Sequence, residues 1–321
     1  MVMRVFKKSL KMIAFLLILC ILLCGISWVV SPKDNQSMHN SYANGFLGEK
    51  TNTIDILIIG DSESYASFSP MQIWRDYGYT TYVCGTSRQY IQDSYDFLTR
   101  FTQSQKPKVV ILEANLLYRS EVRFSDIFRS MQNAASKFMP VFEYHNRWKK
   151  LGVGDFKKSK GYTWRDELKG FRFNSKIVPY EGSAEYMVHT DKVKRIPEVS
   201  THYFKKIAEH CEQNNIQLML INTASPVNWT YEKHNGVEKL AKEYDIKYLD
   251  MNLLTKELKI DWKKDTYDKG DHLNFYGAQK VTGYLGEYLK NNFKITDHRG
   301  KEEYKHWNDD LKAYEKNSAK I

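Results

Sequence analysis

Short apolar runs alternate with segments of helical periodicity along most of the chain, and this alternation constrains the fold more than any other feature. The apolar runs are rich in β-branched and aliphatic residues and lie at residues 54–59, 80–83, 109–112, 217–221 and 248–250. Amphipathic stretches with helical spacing separate them. Strands that alternate with helices pair in parallel, so the sequence predicts an α/β fold with a doubly wound parallel sheet.

The predicted helices place apolar residues at intervals of three and four. They cover residues 71–77, 89–105, 203–214, 233–244 and 275–291. The first follows Ser69 and Pro70, a capping residue and then a proline, as is typical of a helix start. Residues 119–200 interrupt the alternation and are rich in aromatic and basic residues without a clear period. We interpret them as an insertion that covers one edge of the sheet.

An uncharged segment near the N-terminus predicts a membrane anchor. Residues 12–30 contain 19 residues without a charge, enough for a helix to cross a hydrocarbon core of about 30 Å. Four basic residues precede this segment, whereas only Lys33 follows it closely. The positive-inside rule therefore places the N-terminus in the cytoplasm and the rest of the chain outside the cell. A cleaved signal peptide is the alternative, but no small-x-small cleavage pattern precedes Pro32, and this favours an anchor.

These patterns predict the organisation of the whole chain. Residues 1–11 form a basic cytoplasmic N-terminus, 12–30 the transmembrane anchor, 31–52 a polar linker, 53–293 the sheet domain with its insertion at 119–200, and 294–321 a charged C-terminal tail that forms a peripheral helix or a frayed end.

Composition narrows the classes of partner. Of the residues, 42% are hydrophobic and 14% aromatic, enough for a substantial core. The formal net charge of +10 predicts an anionic neighbour, such as a membrane surface or an acidic cell-wall polymer. We predict no nucleic acid partner, because nucleic-acid-binding motifs are absent from the sequence. We also predict no metal and no cofactor, since no Cys/His cluster occurs, and we interpret Cys84 and Cys211 as buried thiols.

Chemically useful residues follow the predicted strands. Ser62 follows the first strand, Gly85 the second, Asn115 the third and Ser225 the fourth, while His272 precedes the last helix. The carboxyl ends of parallel strands meet at one edge of a sheet, so we expect these positions to lie close together. A serine and a histidine with neighbouring carboxylates are the components of a nucleophilic hydrolase or acyltransferase.

These positions carry a resemblance to a known family. The Gly-Asp-Ser of residues 60–62, the Gly85 region, the Glu-Ala-Asn of residues 113–115 and the block at residues 268–272 resemble the SGNH, or GDSL-type, hydrolase superfamily over about residues 54–291. The resemblance implies a flavodoxin-like SGNH hydrolase fold. It also implies that Ser62 is the nucleophile and His272 the base, and that Gly85 and Asn115 donate to the oxyanion.

The chain departs from the family pattern in three places. Glu63 replaces the usual leucine, and Glu113 replaces a glycine. The family usually places its aspartate three residues before the histidine, whereas Asp268 lies four residues before His272 and Asp271 is adjacent to it. A helical turn would bring Asp268 onto the face of His272, and a loop could instead present Asp271. Both aspartates remain candidates for orienting the histidine.

Within the superfamily, the anchor and insertion resemble the alginate O-acetylation proteins and the D-alanyl lipoteichoic acid transfer proteins. This likeness implies an extracytoplasmic serine esterase or O-acyltransferase that moves acetyl or D-alanyl groups on a cell-surface polysaccharide or teichoic acid. It also implies a membrane-bound O-acyltransferase as partner. The alternative is a catalytically inactive carbohydrate-binding or assembly module on the same fold.

Several further residues are candidates for substrate binding. Ser225 lies at the predicted reactive edge of the sheet, and Asn274 either binds substrate or caps the last helix. His145, Arg147 and Trp148 in the insertion could line a polymer groove by stacking and charge pairing, or could form a solvated basic face.

Overall fold

The structure, a computed structural model, describes residues 2–119, 135–136, 138–157 and 161–320. The rest of the predicted insertion, namely residues 120–134, 137 and 158–160, lies outside the described residues, as do residues 1 and 321. The chain divides into two compact units. The first contains the described residues of Met1–Met38 and Arg123–Tyr162, and the second contains those of His39–Val122 and Thr163–Ile321.

The second unit is built around a five-stranded sheet. Its strands are β1 Ile56–Gly60, β2 Thr81–Gly85, β3 Val109–Glu113, β4 Gln217–Asn222 and β5 Lys247–Asp250. All neighbouring strands pair in parallel, in the order β2-β1-β3-β4-β5. This is the strand order of flavodoxin-like sheets, in which the direction of winding reverses beside the first strand. The predicted parallel sheet is therefore confirmed.

The helices of the described residues are numbered in chain order. They are α1 Val2–Val30, α2 Ser41–Asn44, α3 Ser62–Ser67, α4 Pro70–Tyr77, α5 Ile91–Phe101, α6 Val141–Tyr144, α7 Glu198–Gln213, α8 Tyr231–Glu243, α9 Phe275–Asn292 and α10 Lys305–Ser318. Helices α1 and α6 belong to the first unit and the others to the second. The five helices predicted from periodicity correspond to α4, α5, α7, α8 and α9.

Both faces of the sheet are covered, which is why the central strands β1 and β3 are buried along their whole length and mostly apolar. All five residues of β1 are buried, and successive side chains of a strand point to opposite faces. Leu57 and Ile59 pack in one cluster with residues of α5 and α7. Ile56 and Ile58 pack in a second cluster with residues of α4 and α9. Helices on both faces make the sheet doubly wound, as predicted.

The C-terminal tail packs against the body of the second unit. Trp307 and Tyr314 of α10 are 0% and 1% exposed. The buried ammonium group of Lys169 accounts for part of this docking, because it pairs with Glu49 at 2.8 Å and also with Asp310 of α10. A buried cation needs such partners to offset its desolvation. Of the two predicted states of the tail, a helix or a frayed end, the structure shows the helix.

Among the described residues, one helix is long and apolar enough to cross a membrane. This helix is α1 of the first unit, over Met3–Val30. Its length and composition are consistent with a single-pass anchor.

Candidate active site

Ser62 is the first residue of α3, directly after β1. The preceding residue, Asp61, caps the helix, since its side chain accepts a hydrogen bond from the Glu63 N–H at 2.9 Å. The Ser64 hydroxyl donates to the Asp61 carbonyl at 2.7 Å and tightens the same turn. Ser62 itself is half-buried, and its hydroxyl lies beside that of Tyr65. Burial raises the pKa of Tyr65 overall, and the neighbouring Ser62 hydroxyl offsets a part of that rise.

Two glycines allow α3 to lie close to the strand ends. Gly60 and Gly85 are direct neighbours across β1 and β2. A Cβ atom on Gly85 would lie 2.6 Å from Ser64 Oγ and 3.2 Å from the Asp61 carbonyl oxygen. A Cβ atom on Gly60 would lie 2.5 Å from the Cβ of Glu113. Neither position has room for a side chain, so both glycines permit the approach that puts Ser62 at this edge.

His272 is hydrogen-bonded to Asp268. Its Nδ1 lies 2.6 Å from Asp268 Oδ2, and its backbone N–H donates to Asp268 Oδ1 at 2.7 Å. The nearest Asp271 carboxylate oxygen is 3.7 Å from Nδ1, beyond hydrogen-bonding distance. A tight loop makes this possible, because Lys269 and Gly270 have φ angles of 64° and 89° and turn the chain back on itself.

The other ring nitrogen of His272 has no hydrogen-bond partner. Nε2 is buried and unpaired within the described residues, and the ring stacks on Tyr267 with centroids 5.4 Å apart. Burial lowers the pKa of His272, but the hydrogen bond to Asp268 and the charge of Asp271 outweigh burial and raise the pKa overall. A histidine held at Nδ1 by a carboxylate and free at Nε2 is oriented to act as a base.

Asn115 lies just after β3 with both ends of its amide fixed. Its Nδ2 donates to Glu63 Oε1 at 3.3 Å, and its Oδ1 accepts from Lys233 Nζ at 3.2 Å. Lys233 also donates to the Asn228 carbonyl. Because an amide nitrogen carries two hydrogens, Asn115 retains one donor for another acceptor.

Three carboxylates lie beneath this amide. Asp61, Glu63 and Glu113 are buried, and one oxygen from each lies within 4.8 Å of the others. Burial raises the pKa of Glu63 and of Glu113 well above the usual range, and the negative charges of neighbouring carboxylates raise both further. Arg119 offsets part of this charge by pairing with Asp61. The carboxyl groups of Glu63 and Glu113 therefore ionise less readily than exposed carboxyl groups do.

Asn228 connects the turn at the start of α3 to the loop that carries His272. Its Nδ2 donates to Glu63 Oε1 at 2.6 Å and also to Asp271 Oδ1. The sequence interpretation assigned no role to Asn228, Lys233 or Arg119. The position of Asn228 shortly after β4, at the reactive edge of the sheet, is the signal that could have identified it.

Two of the predicted substrate-binding residues have structural partners in the second unit. Ser225 is 0% exposed, and its hydroxyl lies 2.9 Å from the Asp271 carbonyl and 3.2 Å from the Gly270 carbonyl, to which it donates. Asn274 caps α9 by accepting from the N–H groups of Tyr276 and Gly277 at 3.0 and 3.2 Å. For Asn274 the structure shows the helix cap, one of the two predicted alternatives.

The other three predicted substrate-binding residues belong to the first unit. His145 and Trp148 are exposed. Arg147 donates to the Val30 carbonyl at 2.6 Å and pairs with Asp155 at 2.9 Å. The contacts of Arg147 are thus with the end of α1 and with its own segment.

A polar cavity of about 180 Å³ opens beside Asn115. It is lined by Asn115, Tyr118, Arg119, Asn228 and Lys233. Two of these side chains are cationic and two are amides, so the cavity suits a ligand rich in oxygen atoms. Burial lowers the pKa of Lys233, since it costs free energy to desolvate the ammonium group.

No family model and no curated protein matches the chain. Among solved structures, it is similar to a lipase/acylhydrolase from Enterococcus faecalis, with 9% identity, 76% of this chain and 99% of that chain covered, and a TM-score of 0.39. A GDSL-like lipase from Bacteroides thetaiotaomicron has 12% identity, 78% and 96% coverage and a TM-score of 0.38. A psychrotrophic esterase from Pseudoalteromonas has 11% identity, 74% and 94% coverage and a TM-score of 0.38.

Proposed function

We propose that the protein is a membrane-anchored serine esterase or O-acyltransferase of the SGNH type. The observation that carries this proposal is the hydrogen bond between His272 Nδ1 and Asp268, which leaves Nε2 free at the sheet edge where Ser62 begins α3. Serine, histidine and aspartate with these roles form the nucleophilic triad of acyl-transfer enzymes.

The reaction follows from these roles. His272 Nε2 accepts the Ser62 hydroxyl proton as Ser62 Oγ attacks the carbonyl carbon of an acyl ester. The ester bond breaks, and His272 returns the proton to the departing alkoxide, which leaves an acyl-serine. A water or sugar hydroxyl then loses its proton to His272 and attacks the acyl-serine, and His272 returns that proton to Ser62 Oγ as the bond between Ser62 Oγ and the acyl carbon breaks. Asp268 keeps the imidazole in the tautomer with its proton on Nδ1 and stabilises the imidazolium.

The developing negative charge requires donors at the same edge. We assign this role to the Ser62 and Gly85 N–H groups and to the remaining amide hydrogen of Asn115. Glu63 and Lys233 contact opposite ends of the Asn115 amide, and these contacts fix the orientation of the amide. A donor held in place before the reaction avoids a reorganisation cost in the transition state.

We further propose that the acyl group is acetyl or D-alanyl and that the acceptor is a cell-surface polysaccharide or teichoic acid. The cavity lined by Arg119, Lys233 and two amides would hold the hydroxyl or phosphate groups of such a polymer. The apolar helix α1 keeps the enzyme at the membrane, where a membrane-bound O-acyltransferase would supply the acyl group.

The nucleophile is tested first, on the full chain in nanodiscs. An active-site serine probe should label the protein at Ser62, and p-nitrophenyl acetate should be hydrolysed with acetylation of the same residue, measured by mass spectrometry of the intact chain and of its peptides. Ser62→Ala should abolish labelling and acetylation. Ser87→Ala removes an exposed serine of the loop after β2 and should leave both reactions unchanged.

The outcomes separate the alternatives. Equal labelling of Ser62→Ala and the parent would refute the nucleophile assignment. Absence of labelling in the parent, together with retained binding of a teichoic acid or polysaccharide, would favour the catalytically inactive binding module. If labelling depends on Ser62, loss of acetyl-serine on adding a glycan, with the acetyl group recovered on the glycan, distinguishes a transferase from an esterase.

A further inference from the structure

A short segment of the first unit exposes an unusual number of large apolar side chains. We call residues 138–157 the juxtamembrane segment. Its exposed apolar residues are Phe138 at 85%, Phe142 at 44%, Trp148 at 65%, Val153 at 80% and Phe156 at 58% exposure. Single exposed apolar residues are ordinary, but several within twenty residues indicate a surface that contacts something else.

The juxtamembrane segment is hydrogen-bonded to the last turn of α1. The Val141 N–H donates to Ser27 Oγ at 3.2 Å, and Arg147 Nη1 donates to the Val30 carbonyl at 2.6 Å. Ser27 and Val30 are only 4% and 3% exposed. Ser27 lies about 4.5 Å before Val30 along the helix axis at a rise of about 1.5 Å per residue.

These contacts set the depth of the segment relative to a bilayer. The uncharged stretch at residues 12–30 is about 28 Å long as a helix, close to the hydrocarbon thickness of about 30 Å. Val30 therefore lies at one boundary of the hydrocarbon core when α1 spans the membrane. A segment hydrogen-bonded to Ser27 and Val30 must lie at the same level, where amphipathic aromatic side chains are enriched.

Arg147 is the residue that holds the segment there. The last carbonyl groups of a helix lack partners within the helix and carry a partial negative charge. Arg147 satisfies one of them at Val30 and pairs with Asp155 at 2.9 Å. The arginine thus links the end of α1 to both halves of the segment.

The charge of the segment favours lipid headgroups. Residues 138–157 contain four lysines or arginines and two acidic residues. Lys149 and Lys150 are exposed beside Trp148, and the Lys149 ammonium lies 5.8 Å from the Trp148 ring centroid. Aromatic rings inserted at the boundary with lysines reaching the phosphates are typical of interfacial membrane binding.

We propose that the juxtamembrane segment is a second membrane-binding element, with its apolar side chains inserted in the headgroup region of the leaflet where α1 ends. The occupant of this surface is an anionic lipid bilayer. The inference depends on α1 as a span and is independent of the serine chemistry. It gives Arg147 and Trp148 a function in membrane attachment.

Nitroxide accessibility tests the proposal on the full chain in nanodiscs of mixed neutral and anionic lipid. The starting variant carries Cys20→Ala and Cys24→Ala and retains the buried Cys84 and Cys211. A single spin label is placed at Val153→Cys, with Leu17→Cys in the middle of α1 as the lipid reference and Val193→Cys as a matched exposed valine in the second unit. Relaxation by oxygen, which concentrates in lipid, is compared with relaxation by a water-soluble nickel chelate.

The label at Val153→Cys should resemble Leu17→Cys in favouring oxygen, and Val193→Cys should favour nickel. Adding Phe142→Ser and Trp148→Ser should raise nickel access at Val153→Cys without changing access at Leu17→Cys. A label at Val153→Cys that behaves like Val193→Cys would overturn the proposal. That outcome would leave the surface to a protein partner. Water access at Leu17→Cys would overturn it as well, by refuting the span.

Discussion

Among the described histidine–aspartate pairs of the second unit, those formed by His272 and by His234 have different surroundings. His272 lies 2.6 Å from Asp268, and His234 lies 2.8 Å from Asp250. Both carboxylate oxygens of Asp268 contact His272: one accepts a hydrogen bond from the backbone N–H and the other lies beside Nδ1. Among the described residues, His272 is the only hydrogen-bond partner of this carboxylate. The contact distance is thus nearly the same in the two pairs, and it does not distinguish them.

Asp250 differs because it also satisfies several other donors. One of its oxygens accepts from the indole of Trp229 at 2.8 Å as well as from His234, and the other accepts from the N–H and the amide of Asn252 at 2.9 and 2.7 Å. His234 is stacked on Tyr248. Asp250 is therefore the centre of a buried network that fixes the end of β5, and such fully satisfied networks rigidify a core. Asp268 thus accepts from His272 alone among the described residues, whereas Asp250 is shared by several donors, and we propose a catalytic role only for the first pair.

Removing each imidazole should separate the two pairs most strongly. His272→Ala should lower kcat for p-nitrophenyl acetate by about 10⁶-fold, the size of effect found when a triad histidine is removed. His234→Ala should leave kcat within about tenfold but lower the free energy of unfolding by about 1–3 kcal/mol, because Asp250 loses a buried donor. Steady-state kinetics and thermal melting of the full chain measure both. Similar losses of activity in the two variants would show that the distinction is wrong.

The two aspartates beside His272 should differ by the next largest amount. Asp268→Asn should lower kcat by about 10⁴-fold, because an amide favours the wrong imidazole tautomer. Asp271→Asn should cost less than about tenfold, since Asp271 lies 3.7 Å from Nδ1 and accepts a hydrogen bond from Asn228 instead. Rates for both variants are compared in one assay. Equal losses would mean that the two carboxylates act together.

The sheet was predictable because its signal is local. Each strand is a short β-branched or aliphatic run, and burial on both faces makes such runs continuously apolar. The positions of Ser62, Gly85 and Asn115 after three of the strands follow from the same pattern. In contrast, the choice between Asp268 and Asp271 depends on the positive φ angles in the loop between them and on a partner 43 residues away.

The network around Asn115 was not predictable for the same reason. Glu63 lies 52 residues from Asn115 and Lys233 lies 118 residues from it, so no local spacing records their contact. In the sequence, Glu63 was notable only because it replaces the leucine that is usual in the family pattern. Likewise, the sequence shows that Arg147 is charged and has aromatic neighbours. It does not show the hydrogen bond from Arg147 to Val30, which is 117 residues away.

The Asn115 amide offers a third, smaller effect. Asn115→Ala should lower kcat by about 10²–10³-fold through the loss of an oxyanion donor, with little change in KM. Asn222→Ala is a matched control, because Asn222 is a buried amide at the end of β4 that donates to Glu113 at 3.0 Å. It should reduce stability more than kcat. A larger fall in kcat for Asn222→Ala than for Asn115→Ala would contradict the oxyanion assignment.

The smallest effect is a shift in the pH dependence of activity. The pKa of His272 is raised, because the hydrogen bond to Asp268 and the charge of Asp271 outweigh burial. General-base catalysis needs the neutral ring, so the acid limb of kcat/KM should lie above the ordinary histidine value of about 6.5. Asp268→Asn removes the largest raising cause and should move the limb to lower pH, even though the remaining rate is small. Asp250→Asn, made at the other pair, should leave the limb in place.

The stability of the folded chain should change with pH in a related direction. A histidine whose pKa is higher in the folded than in the unfolded state contributes stability that is fully present below about pH 6.5 and is lost as pH rises through the folded value. Asp268→Asn should therefore destabilise the protein more at acidic than at alkaline pH, measured by thermal melting across that range. An equal destabilisation at both ends would mean that the contact between Asp268 and His272 does not depend on the imidazolium charge. Orientation of the neutral ring would then be the whole contribution of Asp268.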